Sequence, residues 1–267
     1  MAKSAAEFPK LKPDSGLIRF EQPLTERMRT LLRVEFLYQQ ARFHARDPSD
    51  YSARAAIASL LDIMTILGRG DIRADVTKEL DRHTDLLNRY RRAPGIDTGR
   101  LNTLLDEVGA LKQGLAKVGN HFMNTLKESE FLSTIKHRST IPGGTCMFDL
   151  PDYNYWLHRP PQEREGQLRA WFAQITPVCD AVAQVLWLTR EATEPVESIA
   201  YGGLYHHSLN RQEQFNLVRV LLPAATPHFP EVSAGQHRFT IRFVEWAGVE
   251  ARPKQVSDNV HFKLSLC

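Results

Sequence analysis

With 267 residues, 42% of them hydrophobic and 24% charged, the chain can bury one large core or two small ones and has an ordinary globular composition. A formal charge of +3, from 34 basic and 31 acidic residues, falls short of a dedicated nucleic-acid binder; it permits an acidic partner without demanding one. No apolar run approaches the ~18 residues of a membrane span, no apolar signal segment opens the chain, and Cys146, Cys179 and Cys267 are too scattered for a metal site or a disulfide framework, so a cytoplasmic protein without metal or cofactor is expected.

Residues 1–16 read as a short disordered leader. Leu17 to Glu21 alternates apolar and polar side chains, as a strand does, and with no partner nearby it is expected to join a sheet made elsewhere. A helix is predicted from Pro23, taken as its first position, to about Ala45. Leu24, Met28, Leu31, Leu32 and Tyr38 fall on its inner arc, with Glu35 in the middle, a carboxylate expected to meet a basic group. Arg29 and Arg33 stand one turn apart on another side, where like charges are either well solvated or directed at an anion.

Ser49 or Asp50 caps a second helix, whose inner face carries Ile57, Leu60, Leu61, Met64 and Leu67. The G-R-G-D that follows, Gly68 to Asp71, comes after a helix and lacks the strand and third glycine of a phosphate loop; it reads as a helix end followed by an Asp71 cap. Ile72, Val76, Leu80, His83, Leu87 and Tyr90 then form one seam, and Leu101, Leu104, Val108, Leu111, Leu115 and Val118 a second, separated by R-R-A-P-G and the Asp97 cap. Two such seams predict an antiparallel helical hairpin, and their heptad-like spacing an intersubunit contact. His83 on the seam reads as a packed core histidine, since no other ligand type stands nearby.

From His121 to His137 the helical period weakens, and S-T-I-P-G-G-T-C-M-F-D-L-P breaks regular structure as a surface loop. Two helices are expected next, one after Pro160-Pro161 with Leu168, Trp171, Phe172 and Ile175 inward, the other capped by Thr176 with Pro177 at its first position. Beyond Pro195 the period changes to two: strands are predicted at Ile199 to Tyr201, Leu204 to Leu209, Phe215 to Leu222, around Phe239, Ile241 and Phe243, and at Val260 to Leu266. Helices followed by strands predict an α+β protein: a helical-bundle lobe over 22–195, then a small antiparallel β-sheet lobe over 196–267, completed by the strand at 17–21.

Catalytic signatures are missing: no H-E-x-x-H, Walker loop, G-x-S-x-G or C-x-x-C occurs, and His206 and His207, adjacent in a strand, point to opposite faces. What the sequence offers is surface arginine. Arg238 and Arg242 share the polar face of one strand, about 13–14 Å end to end. Arg69 and Arg73 flank the G-R-G-D turn, and with Arg33 they make a set of guanidiniums that a helix–sheet groove could gather for carboxylate recognition. A basic nucleic-acid-binding adaptor is the alternative, with Tyr205, Phe215 and Trp246 as candidate stacking rings.

P-L-T-E-R-M-R-T-L-L-R-V-E-F-L, beginning at Pro23, resembles the opening helix of the ZapD family, bacterial cell-division proteins that associate with FtsZ. R-G-D-I-R, K-E-L-D-R, S-T-I-P-G-G-T-C-M-F-D-L-P and H-R-F-T-I-R-F resemble the same family in the same order, so the likeness runs from about Leu17 to the end. The resemblance implies a non-enzymatic homodimer that binds the acidic and apolar C-terminal tail of FtsZ and bundles its filaments into the Z-ring at mid-cell. Matching basic positions carry that tail-binding role to Arg33, Arg69, Arg73, Arg238 and Arg242. The chain departs from the pattern in its longer leader, in Leu31 where tryptophan is common, and in Asn154 where some members have histidine.

Overall fold

The structure is a computed structural model that describes residues 16–91, 94–119, 122–209, 215–235 and 238–267; apart from Gly16, the expected leader lies outside the described residues. Its helices are α1 (Glu26–His44), α2 (Asp50–Leu67), α3 (Ile72–Tyr90), α4 (Thr98–Lys117), α5 (Asn124–Lys127), α6 (Glu130–Arg138), α7 (Pro151–Leu157) and α8 (Pro161–Glu191). Its strands are β1 (Leu17–Pro23), β2 (Val196–Ala200), β3 (Leu204–Ser208), β4 (Leu217–Pro223), β5 (His228–Ala234), β6 (Arg238–Glu245), β7 (Lys254–Gln255) and β8 (Val260–Leu266). The expected α+β class holds. Thr30–Leu186 form one compact unit, and the residues up to Arg29 together with Trp187–Cys267 form the other, the divisions falling inside α1 and α8.

In the helical unit, three of the expected caps and much of the expected apolar periodicity act where they were read, though Tyr90 at the end of the first seam is exposed. Ser49, Asp71 and Asp97 accept the backbone N–H groups of Ser52, Ala74 and Arg100, satisfying donors that a helix start leaves unpaired. All the expected inner residues of α2 are buried, as are Val76, Leu80 and His83 of α3 and Leu101, Val108 and Leu115 of α4. On α1 the buried stripe is Met28, Leu31, Val34, Tyr38 and Ala41, while Leu32 and Glu35 are half-buried.

Three local expectations are corrected. Pro23 closes β1, opposite Leu217, instead of opening α1; the Thr25 hydroxyl takes the N-terminal role, accepting the Met28 N–H at 3.2 Å. The weakly periodic stretch before the loop holds α5 and α6, whose buried residues are Leu126, and Leu132 with Ile135; elements this short show too few inward positions for a period to register. The two helices expected around Thr176-Pro177 are one helix of 31 residues with Pro177 inside it. There Thr176 does not cap: its hydroxyl donates to the Phe172 carbonyl at 2.9 Å and lies 3.0 Å from the Tyr38 hydroxyl. Burial of Ile175, Val178, Val182, Val185 and Leu186 on both sides of the proline outweighs the hydrogen bond it removes.

The β unit contains two sheets where one was expected, ordered β1-β4-β8-β2 and β3-β6-β5, with β7 added beside β6. They share a core: Val218, Val220, Leu222, Val260, Phe262 and Leu264 from the first meet Phe239, Ile241 and Phe243 from the second. The N-terminal strand joins as expected, β1 pairing antiparallel to β4 with Phe20 opposite Val220. Strand β5 escaped prediction because Pro230 interrupts H-F-P-E-V-S-A; proline is tolerated there because β5 is a sheet edge, bonded only to β6. Gly203, in the turn before β3, has φ +72°, and a Cβ there would stand 2.2 Å from the Val256 carbonyl oxygen.

Candidate functional site

The G-R-G-D turn between α2 and α3 borders a cavity of about 370 Å³ in the helical unit. Leu67 to Arg73 line one side of it, and Phe122, Met123 and Lys127 the other. Arg69 and Lys127 are exposed, and the lining also includes the Asp71 carboxylate and the half-buried Phe122 ring. Arg73 is held differently. Its guanidinium donates to the Val118 and Gly119 carbonyls at 3.2 and 2.8 Å, closing the end of α4, and lies 5.6 Å from the centre of the Phe122 ring. Its Nε also lies 3.9 Å from the Asp71 carboxylate, which offsets part of its charge, while its carbonyl contacts brace the cavity walls. Cations beside an aromatic ring suit a ligand that mixes carboxylates with apolar side chains.

In the β unit, Arg238 and Arg242 project from the exposed face of β6, while Phe239, Ile241 and Phe243 anchor the other face in the core. Glu231 of β5 stands directly opposite Arg242 and accepts its Nε at 3.2 Å. Between the two arginines Thr240 lies 3.0 Å from His206, its partner on β3. His207 points the other way, its ring 5.1 Å from that of Phe239 and stacked on it, so the adjacent histidines do serve opposite faces. No group of His, Cys, Asp and Glu side chains able to hold a metal ion occurs among the described residues.

Arg33 is exposed on α1 and does not line the cavity. Within each unit, then, the expected arginines fall together as two pairs, Arg69 with Arg73 at the cavity and Arg238 with Arg242 on one strand face. Sequence reasoning missed Phe122, Met123 and Lys127. Nothing local marks them, because they reach the G-R-G-D turn only through the fold.

A family profile described as a cell division protein, ZapD, matches residues 32–242. Among curated proteins, the Methylococcus capsulatus "Cell division protein ZapD" is 36% identical over 250 residues, covering 94% of this chain and 98% of that protein. Proteins of the same name from Aromatoleum aromaticum and Coxiella burnetii are 34% and 32% identical, again over 94% of this chain and 97% of theirs.

The chain belongs to the ZapD family.

Membership carries a role in cell division. The loop at Ser139 to Pro151, part of the family likeness, is fixed to its neighbours. Arg54 donates to the Thr145 carbonyl at 2.9 Å and lies over the Tyr153 ring at 4.8 Å, tying the loop to α2 and α7. A Cβ on Gly144 would come 2.4 Å from the Arg138 carbonyl oxygen, so the loop folds against the end of α6 as only glycine allows. No helix among the described residues is long and apolar enough to cross a membrane.

Proposed function

We propose that this protein is a non-enzymatic cell-division factor that binds the C-terminal tail of FtsZ. As a homodimer it would cross-link and bundle FtsZ filaments, stabilising the Z-ring at the septum from the cytoplasm. The observation that carries the reading is the cavity beside the G-R-G-D turn, where Arg69, Arg73 and Lys127 outnumber the one carboxylate, Asp71, and Phe122 and Met123 join the lining. An acidic and apolar tail finds both halves of its chemistry there. Arg238 and Arg242 add a second basic surface, on a strand whose backbone is fixed by its core face. Arg33, exposed on α1, is assigned to the same role.

Bundling follows from valency. A monomer decorates one filament, whereas a two-fold dimer carries two tail sites and bridges two. Each weak contact then gains from the high local concentration of tails along a polymer. The test is co-sedimentation with FtsZ filaments with and without their tail, alongside titration of the isolated tail peptide. Pelleting and bundling that depend on the tail support the reading. Equal pelleting with tailless filaments, or tighter binding to DNA than to the peptide, overturns it.

A further inference from the structure

On the exposed side of the second sheet, strand register places three basic side chains around one threonine. His206 of β3 stands opposite Thr240 of β6, Ser208 opposite Arg238, and Leu204 opposite Arg242. Directly opposed residues share a face of the sheet at about 5 Å and diagonal ones at about 7–8 Å, so His206 is a near neighbour of both arginines. The residues on either side of it in β3 serve the core face, where Tyr205 packs edge-on to Phe262 and His207 stacks on Phe239. His206 itself is exposed, with Nδ1 lying 3.0 Å from the Thr240 hydroxyl. That contact orients the ring and leaves Nε2, on its far edge, for a ligand.

We infer that His206 is the third group with which this face holds an acidic peptide, and that its ring takes up a proton as the peptide binds. A neutral ring has one N–H; when Thr240 receives it, Nε2 presents a lone pair that repels a carboxylate. A protonated ring donates from both nitrogens, keeping Thr240 and adding a charge-assisted bond to the ligand. A carboxylate seated at Nε2 therefore favours the protonated ring, and by linkage protonation strengthens binding to the same degree. Imidazole is the side chain that ordinarily changes charge between about pH 5 and 8, so the coupling acts near neutrality.

Spacing and charge select the occupant. Arg238, the His206–Thr240 pair and Arg242 follow one another at steps of about 7 Å, the distance between side chains on one face of an extended chain. A peptide with acidic groups on alternate residues matches that repeat, which a single small anion does not. The charges facing His206 are Arg238 and Arg242 from β6 and, one strand further, Glu231 from β5, already engaged by Arg242. The other strand beside β3 is β2, whose Glu197 lies 3.3 Å from Lys263. Both carboxylates are thus committed elsewhere, and the face around His206 attracts an anion.

This inference rests on the proposed tail binding at Arg238 and Arg242, and calorimetric titration of the tail peptide into the full chain separates the two. Titrations at about pH 8 and about pH 6 both lie above the range in which peptide carboxylates titrate. The parent is expected to bind about three- to tenfold more tightly at the lower pH, and His206→Gln to bind almost equally at both. A parent that binds equally at both, or a folded variant that keeps the parent's pH response, overturns the role of His206 and leaves the tail site in place. Arg238→Ala with Arg242→Ala tests the reading beneath it: peptide affinity equal to the parent's removes the tail from this face altogether. Should His206→Gln not fold, the parent is titrated near pH 7 in two buffers of different ionisation enthalpy. A difference in binding heat that corresponds to proton uptake supports the inference, and equal heats overturn it.

Discussion

Glu21 and Arg190, 169 residues apart in the chain, are joined by two hydrogen bonds, Arg190 Nε to Oε1 at 2.9 Å and Nη2 to Oε2 at 2.8 Å. Arg219, opposite Glu21 on β4, adds a third to Oε1 at 3.2 Å and donates to the Arg190 carbonyl at 2.8 Å. Both guanidiniums are buried. One carboxylate on β1 thus fixes the end of α8 to the sheet and compensates two cations withdrawn from water.

Glu21→Ala removes the carboxylate that the two buried guanidiniums share; breaking a buried ion pair typically costs about 3–5 kcal/mol. The expected loss is about 3 kcal/mol, at the low end because the Glu21 side chain keeps 18% exposure and water can partly replace it. Urea denaturation should show a lower midpoint with little change in slope. A midpoint within error of the parent means the triad contributes nothing net.

Local rules made most of the helical unit legible: Ser49, Asp71 and Asp97 are caps read from residue type and position, and the α2 face is a period of 3.6. The Arg69–Arg73 and Arg238–Arg242 pairs were legible for the same reason, each lying within one turn or one strand. Illegible were the features created by long-range closure. Lys127 meets the G-R-G-D turn across more than fifty residues, and Glu21 meets Arg190 across the whole helical unit. One signal went unused: Arg219 is the only charge in L-V-R-V-L-L-P, and a lone arginine in a fully buried strand demands a carboxylate.

Acid sensitivity should trace to His83. Buried on α3 and crowded by the neighbouring Arg82 guanidinium, it has its pKa lowered from 6.5 to about 4. The Arg82 Nη2 lies 3.2 Å from Nε2 and donates to it, so the neutral ring carries its hydrogen on Nδ1. A depressed pKa means the unfolded chain takes the proton first. Stability from this group is complete above pH 6.5 and is lost as pH falls toward 4, by on the order of 3 kcal/mol. His83→Gln, which keeps an acceptor but does not titrate, should flatten the thermal midpoint between pH 6.5 and 4. An unchanged slope would assign the acid loss to other groups.

Tyr38 braces the helix at its proline. Its hydroxyl sits between Thr176 Oγ1 at 3.0 Å and Asp180 Oδ1 at 3.3 Å, one on each side of Pro177. Burial raises the pKa of Asp180, so losing a donor leaves that carboxyl still less well solvated. Tyr38→Phe keeps the packed ring and should cost about 1–2 kcal/mol in urea denaturation. Faster amide exchange around Ala173, whose carbonyl the proline cannot bond, would locate the loosening; a neutral substitution would show that packing alone carries α8 through Pro177.

The ion pair between Arg242 and Glu231 gives the tail-binding proposal a sharp test. A tail carboxylate that approaches Arg242 must displace Glu231, an acceptor already held on the neighbouring strand. Both side chains are about half exposed, so the pair is a surface one, worth about 0.2–1 kcal/mol. Glu231→Gln removes the competitor and one negative charge while keeping the shape of β5. It should therefore tighten binding of the isolated tail peptide about two- to fivefold, with the gain fading at high salt. Arg238→Ala with Arg242→Ala should weaken the same binding tenfold or more with the fold intact, since the core face of β6 is untouched. Combining the two sets decides the role of Arg242. If Glu231→Gln still tightens binding when Arg242 is alanine, its effect is a general field effect. If the gain vanishes, Arg242 is the group the tail engages, and Arg69→Ala with Lys127→Ala at the cavity should then add its own loss independently.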